Sequence, residues 1–205
     1  MAVIGITGSL ASGKSTVASV FGRCGAVIFN ADTIAHRALF RNTQCYEKLI
    51  KRFGSVILDR RGLINRKKLA AAGFADKKSE RDLCAIIHPW VFAYLDKHIG
   101  VCQKKCPRKA IVVDAALLIE SGLYRRMDAV IVVRSTLAQQ KRRAAAGRNM
   151  TAEQFQERVR FQIPFGEKIK HADYVIDNRG ALRDTESQVR KLCKQLNIRK
   201  VYGNK

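Results

Sequence analysis

Eight consecutive residues carry the strongest chemical signal in the chain. Gly8-Ser9-Leu10-Ala11-Ser12-Gly13-Lys14-Ser15 fits G-x-x-x-x-G-K-[ST] at every defined position. Glycines in such a loop permit backbone angles that let successive N–H groups converge on one anion. A helix beginning at Lys14 adds its positive end, and the Lys14 ammonium reaches the outer phosphates of a nucleotide such as ATP. Gly8, Ala11, Ser12, Gly13, Lys14, Ser15 and Thr16 are therefore the candidate phosphate ligands, with Lys14 also a catalytic cation. The Ser15 hydroxyl suits Mg²⁺, a hard cation that shares its shell with nucleotide phosphates.

A phosphate loop serves kinases, GTPases, motors and nucleic-acid remodelling enzymes alike. Phosphoryl transfer additionally needs a carboxylate near the acceptor, a metal anchor and cations that balance the moving charge. Asp32, at the end of Val27-Ile28-Phe29-Asn30-Ala31-Asp32, is placed either to take the proton of an attacking hydroxyl or to cap a helix from Thr33. Asp114 ends Ile111-Val112-Val113 and reads as a metal-side carboxylate or as a turn residue. Glu120 closes Leu117-Leu118-Ile119-Glu120. Arg142, Arg143 and Arg148 flank a pair of helices; they suit a flap over phosphates, because guanidinium donates two bonds to one phosphate, or else form a solvated basic face.

The elements that must position these groups follow from hydrophobic patterning. Val3–Thr7, Ala26–Phe29, Ala110–Val113, Ala129–Val133 and Tyr174–Ile176 are short apolar runs of the kind that form parallel strands covered on both faces. Helical spacing marks Lys14–Phe21, Thr33–Phe53, Leu69–Ile99, Thr136–Ala146, Thr151–Phe161 and Ala181–Leu196. His88-Pro89 is expected to interrupt the third of these, since proline disfavours helix geometry at the residue before it. Alternation of strand and helix implies a mostly parallel sheet in a layered α/β fold. The interval 33–108, with hardly a strand in it, reads as a helical excursion able to hold a substrate domain.

In bulk, 205 residues with 47% apolar and 27% charged side chains describe a globular protein rather than a disordered chain. No run approaches a membrane span and the N-terminus lacks signal-peptide character, so a cytoplasmic protein without membrane attachment is expected. Six scattered cysteines suit reduced thiols. Lysines and arginines number 39 against 17 acidic residues, a net charge of +22 that attracts polyanions without saying which.

Further segments extend the signal in order along the chain: Asn30-Ala31-Asp32, Phe53-Gly54, Ile87-His88-Pro89, Asp114 to Glu120, Gln139 to Arg142, Arg148 to Thr151, Arg158 to Gln162 and Ala172 to Gly180. With the phosphate loop, they resemble the dephospho-coenzyme A kinase family from about Val3 to Gly180. The resemblance implies a three-layer α/β/α fold of the P-loop NTPase class with a central parallel sheet, a helical substrate domain and a small helical lid. Its expected divisions are 1–34, 108–135 and 172–205 for the core, 35–107 for the substrate domain and 136–171 for the lid. It implies phosphorylation of the ribose 3′-hydroxyl of dephospho-coenzyme A by ATP with Mg²⁺, in a monomer or weak homo-oligomer without specific nucleic-acid binding. It further implies Asp32 as base, Arg142 and Arg148 as lid cations, Asn178 and Gly180 beside the nucleotide, Ser15 and Asp114 at the metal, and Asp32, Arg37, His88, Leu117 and Glu120 toward the acceptor.

Four departures from the family pattern stand out: Ala11 where glycine is usual, Asn30 where aspartate is usual, Ala115-Ala116 in place of a proline-containing segment, and an unusual interval between Arg142 and Arg148. Two other readings compete. Another small-molecule or nucleotide kinase of the same architecture shares the loop, and a nucleic-acid-binding ATPase would use the charge, although no aromatic-rich basic stripe or helix-turn-helix pattern accompanies it.

Overall fold

The architecture, a computed structural model, describes residues 2–198. In chain order its elements are β1 (Val3–Gly8), α1 (Lys14–Cys24), β2 (Val27–Asn30), α2 (Ala31–Arg37), α3 (Gln44–Phe53), α4 (Arg66–Gly73), α5 (Lys77–Lys105), β3 (Ile111–Asp114), β4 (Ala129–Arg134), α6 (Leu137–Arg148), α7 (Ala152–Val159), α8 (Phe165–Ile169), β5 (Tyr174–Asp177) and α9 (Leu182–Gln195). Two compact units result. One runs to Asn30 and resumes at Gly100; the other comprises Ala31–Ile99.

All five strands of the first unit are parallel, in the order β2-β3-β1-β4-β5. The chain leaves β1 for one edge, returns to β3, then passes β1 to reach β4. Strand order therefore reverses around β1, and ligands in such sheets bind outside the carboxyl ends at the reversal. Registry lines those ends up: Gly8 lies opposite Val133, and Asp114 lies opposite Ile6 on one side and Asn30 on the other.

Period-two alternation decides which face each residue covers. Ile4 and Ile6 of β1, Val112 of β3 and Ile131 and Val133 of β4 join Val17, Val20 and Phe21 of α1 and Val189 and Leu192 of α9 in one buried cluster. Gly5 turns the other way, where a Cβ would sit 2.6 Å from Leu118 and 2.9 Å from Met127, so only glycine admits that segment onto the sheet. The second unit has its own core of Leu49, Ile57, Leu69 and Leu83.

Three sequence expectations are corrected. The helix over Thr33–Phe53 is two: α2 ends at Arg37, and α3 starts anew because Thr43 Oγ1 accepts from the Tyr46 N–H at 3.1 Å. The span Leu69–Ile99 likewise breaks after Gly73 and restarts at Lys77, where Asp76 accepts the amides of Lys78 and Ser79 at 2.8 Å each. Pro89 does not interrupt α5 at all. Proline removes the bond to the carbonyl four residues back, here that of the exposed Ala85, which solvent can satisfy. The neighbouring Ile86 carbonyl accepts from the Cys45 thiol at 3.2 Å. The five-residue α8 was not foreseen.

Pro89→Ala restores the missing helix bond while relaxing the unfolded chain. The net gain is about 1–2 kcal/mol, read as a higher urea midpoint; a lower midpoint would show that the ring itself packs usefully.

Candidate active site

The turn from β1 into α1 takes its shape from three residues with positive φ: Gly8 at 155°, Ala11 at 57° and Gly13 at 97°. Left-handed geometry costs a residue bearing a Cβ roughly 1–2 kcal/mol, so Ala11 is held there by its surroundings. At Gly13 a methyl would run into the Asn178 side-chain amide as well. α1 starts on Gly13 with no side-chain cap, leaving the first-turn N–H groups directed out of the helix end, as an anion site requires. Lys14 is buried, and its Nζ donates to the carbonyls of Gly8 and Ser9 at 3.3 Å each.

Neighbouring elements grip this loop from several sides. The Ser12 carbonyl accepts from Asn178 Nδ2 at 2.7 Å and from Arg143 Nη1 at 3.1 Å. Asn178 is itself fixed by Thr185, whose hydroxyl donates to its Oδ1 at 2.9 Å, and Arg143 also reaches the Asn178 carbonyl at 3.2 Å. Leu10 buries its side chain among Ala144, Met150 and Phe155 of the α6–α7 region. Its N–H donates to Gln162 Oε1 at 2.7 Å.

The sequence-named metal ligands meet. Ser15 Oγ donates to Asp114 Oδ2 at 2.9 Å, and the same oxygen accepts from Asn30 Nδ2 at 3.3 Å. Asn30, standing where the family pattern has a carboxylate, thus steadies Asp114 with a donor instead of adding a second negative charge. A hydroxyl and a carboxylate oxygen at the mouth of a phosphate loop are hard donors suited to a divalent cation that takes its remaining ligands from phosphate and water. Among the described residues no group of three or more His, Cys, Asp or Glu forms a metal cluster.

Other expected residues occupy different settings. The Asn178 amide is bonded to the phosphate loop at the Ser12 carbonyl, while Gly180 stays exposed in the β5–α9 connection. Arg142 is exposed on α6; that helix ends at Arg148, whose side chain lies outside the described residues. Leu117 is half-buried in the loop after β3. Glu120 Oε1 accepts from the buried Lys168 ammonium at 2.7 Å and from the Ile163 N–H at 3.0 Å, while its Oε2 is buried without a hydrogen-bond partner. Burial pushes the Lys168 ammonium down from its ordinary value, and its bond to Glu120 pulls it back up. Lys168 also donates to the Ala116 carbonyl at 3.2 Å, which Gln162 Nε2 and Thr7 Oγ1 share.

Within the second unit, Asp32 stands exposed in the first turn of α2. Because α2 opens at Ala31, directly after β2, Asp32 is not the cap that one sequence reading allowed. Arg37 Nη1 donates to Tyr94 Oη at 2.6 Å. His88 stacks on Phe92, and burial holds its ring below the ordinary histidine range. Sequence reasoning passed over Gln162, Lys168 and the loop contact of Arg143; only the ordered segment Arg158 to Gln162 hinted at the first.

A cavity of about 520 Å³ opens beside Ser9, walled by Leu137, Gln140, Val159 and Phe165, with Arg134 and Arg179 contributing charge.

Comparison with known proteins follows the same lines. A family model described as dephospho-CoA kinase matches residues 2–184. The chain belongs to the dephospho-CoA kinase family. A dephospho-CoA kinase of Aquifex aeolicus is 38% identical over 193 residues, spanning 94% of this chain and 96% of the relative. One from Bacillus licheniformis is 39% identical over 190 residues, spanning 93% and 94%. Among solved structures, a Thermus thermophilus protein superposes with a TM-score of 0.81 at 30% identity, covering 95% of this chain and 97% of that one. Dephospho-CoA kinase from Campylobacter jejuni gives 0.69 at 28%, covering 95% and 96%. A shikimate kinase from Acinetobacter baumannii, at 0.55 and 16% identity over 97% and 96%, shares the fold.

The His88 environment has a consequence for pH. Its folded value lies below the unfolded 6.5, so the unfolded chain binds the proton first and stability is lost as pH falls below about 6.5. The melting temperature of the natural chain should therefore drop more steeply between pH 7 and 5 than that of His88→Phe; parallel slopes would contradict this.

Proposed function

We propose that this family member transfers the γ-phosphoryl group of ATP to the ribose 3′-hydroxyl of dephospho-coenzyme A, giving coenzyme A and ADP. The observation that carries the chemistry is the Ser15–Asp114 oxygen pair, 2.9 Å apart at the head of the phosphate loop. Family membership supplies the acceptor.

In this reading the amides from Ala11 to Thr16 bind the phosphate tail and Lys14 neutralises charge that grows on it in the transition state. Ser15 and Asp114 would hold Mg²⁺, which would supply neutralisation of charge on the phosphate oxygens. Asp32, two residues beyond the end of β2, accepts the proton of the attacking hydroxyl. Arg142 and Arg148 balance charge from the lid, and Gly180 borders the nucleoside. Arg37, His88 and Leu117 serve the acceptor, while Glu120, engaged by Lys168, shapes the loop after β3. All six cysteines are free, which supports a reducing, cytoplasmic setting. Among the described residues no helix is long and apolar enough to cross a membrane.

ADP release measured with ATP and dephospho-coenzyme A, AMP, CMP or a nucleoside should be fast for the first alone; turnover of a nucleotide instead would overturn the acceptor assignment. Asp32→Asn should lower turnover by about 10²–10⁴ with MgATP affinity intact, and Lys14→Ala by about 10²–10³. An Asp32→Asn enzyme with normal turnover would remove Asp32 from the chemistry.

A further inference from the structure

The phosphate loop is anchored by a side chain that lies 152 residues away and to which the proposed reaction assigns no task. Gln162 sits between α7 and α8 with both ends of its amide used. Oε1 accepts the Leu10 N–H at 2.7 Å, and Nε2 donates to the Ala116 carbonyl at 3.1 Å. That carbonyl is held in turn by Thr7 and by the buried Lys168. Gln162 therefore ties the loop to a fixed point beside the sheet, while the Leu10 side chain is held in the apolar cluster with Ala144, Met150 and Phe155.

The residue after Leu10 is the strained one. Ala11 keeps a left-handed φ of 57° although its methyl disfavours it. With Leu10 pinned at its amide and its side chain, and Ser12 pinned at its carbonyl by Asn178 and Arg143, Ala11 has no freedom to relax toward extended backbone. Where the family pattern has glycine, left-handed geometry is nearly free; here it must be imposed from outside.

We propose that Gln162 is a positioning residue for nucleotide binding: by holding the Leu10 amide it keeps the strained Ala11 turn shaped for phosphate before the nucleotide arrives. Both ends of its amide are spent on backbone groups, so it acts through Leu10. This rests on the reading of the loop as an ATP site, not on the identity of the acceptor.

The test is calorimetry with MgADP and no acceptor, together with amide exchange of the loop. Gln162→Met keeps the length and removes both hydrogen bonds; Gln162→Glu keeps an acceptor for the Leu10 N–H but loses the donor to the Ala116 carbonyl. Gln162→Met should bind MgADP about tenfold more weakly and exchange the Leu10 amide about tenfold faster, with Gln162→Glu, which keeps one of the two bonds, between Gln162→Met and the natural chain in both readouts. Unchanged affinity in Gln162→Met, or equal losses in the two variants, would overturn the proposal. Should Gln162→Met fail to fold, Gln162→Glu decides alone: affinity lost in step with faster Leu10 amide exchange supports the role, and affinity lost with Leu10 exchange unchanged, or no loss in either, refutes it. A natural chain that binds no MgADP would instead refute the nucleotide reading itself.

Discussion

An anion held by main-chain N–H groups demands a backbone path that side chains resist, and the catalytic end of this sheet is arranged around that demand. Glycine meets it at positions 8 and 13, and alanine must meet it at position 11. The price appears in the neighbours: a carbonyl gripped by two donors, an amide gripped by a glutamine and a leucine side chain sunk into α6 and α7. Preorganised dipoles stabilise charge because they need not reorganise when it appears, and these contacts keep them in place. The parallel sheet contributes position, bringing the ends of β1, β2 and β3 together so that Ser15, Asn30 and Asp114 share one oxygen.

A second set of interactions supports the loop from below. Lys168 is fully buried, and an ammonium in that position is tolerated only with close partners. Glu120 and the Ala116 carbonyl provide them, and the same carbonyl receives Gln162. Replacing either charge alone would strand the other in low dielectric. The pair therefore fixes α8 against the loop after β3, a specificity device more than a source of net stability.

Local features were the legible ones. The phosphate loop could be read because its chemistry is written in eight adjacent residues, and the strands because both faces of a parallel sheet are apolar. Asp114, which from its strand-end position reads as a metal-side carboxylate or a turn residue, accepts from the Ser15 hydroxyl. Where the outcome depended on partners distant in sequence, the reading failed or stayed silent. Arg143 finds Ser12 across 131 residues and Lys168 finds Glu120 across 48, and no local pattern announces either. Pro89 was misjudged for a related reason, since the exposure of Ala85 becomes visible only in three dimensions. From sequence Asp32 reads equally as base or as cap; in the fold α2 begins at Ala31, directly after β2, so Asp32 lies inside the first turn and not at its cap.

Amide NMR of the natural chain on addition of MgADP addresses the cradle most directly. The account predicts that the largest shifts fall on the backbone N–H groups from Ala11 to Thr16, where the phosphates would accept their hydrogen bonds. Shifts concentrated elsewhere, with that stretch unmoved at saturation, would contradict it.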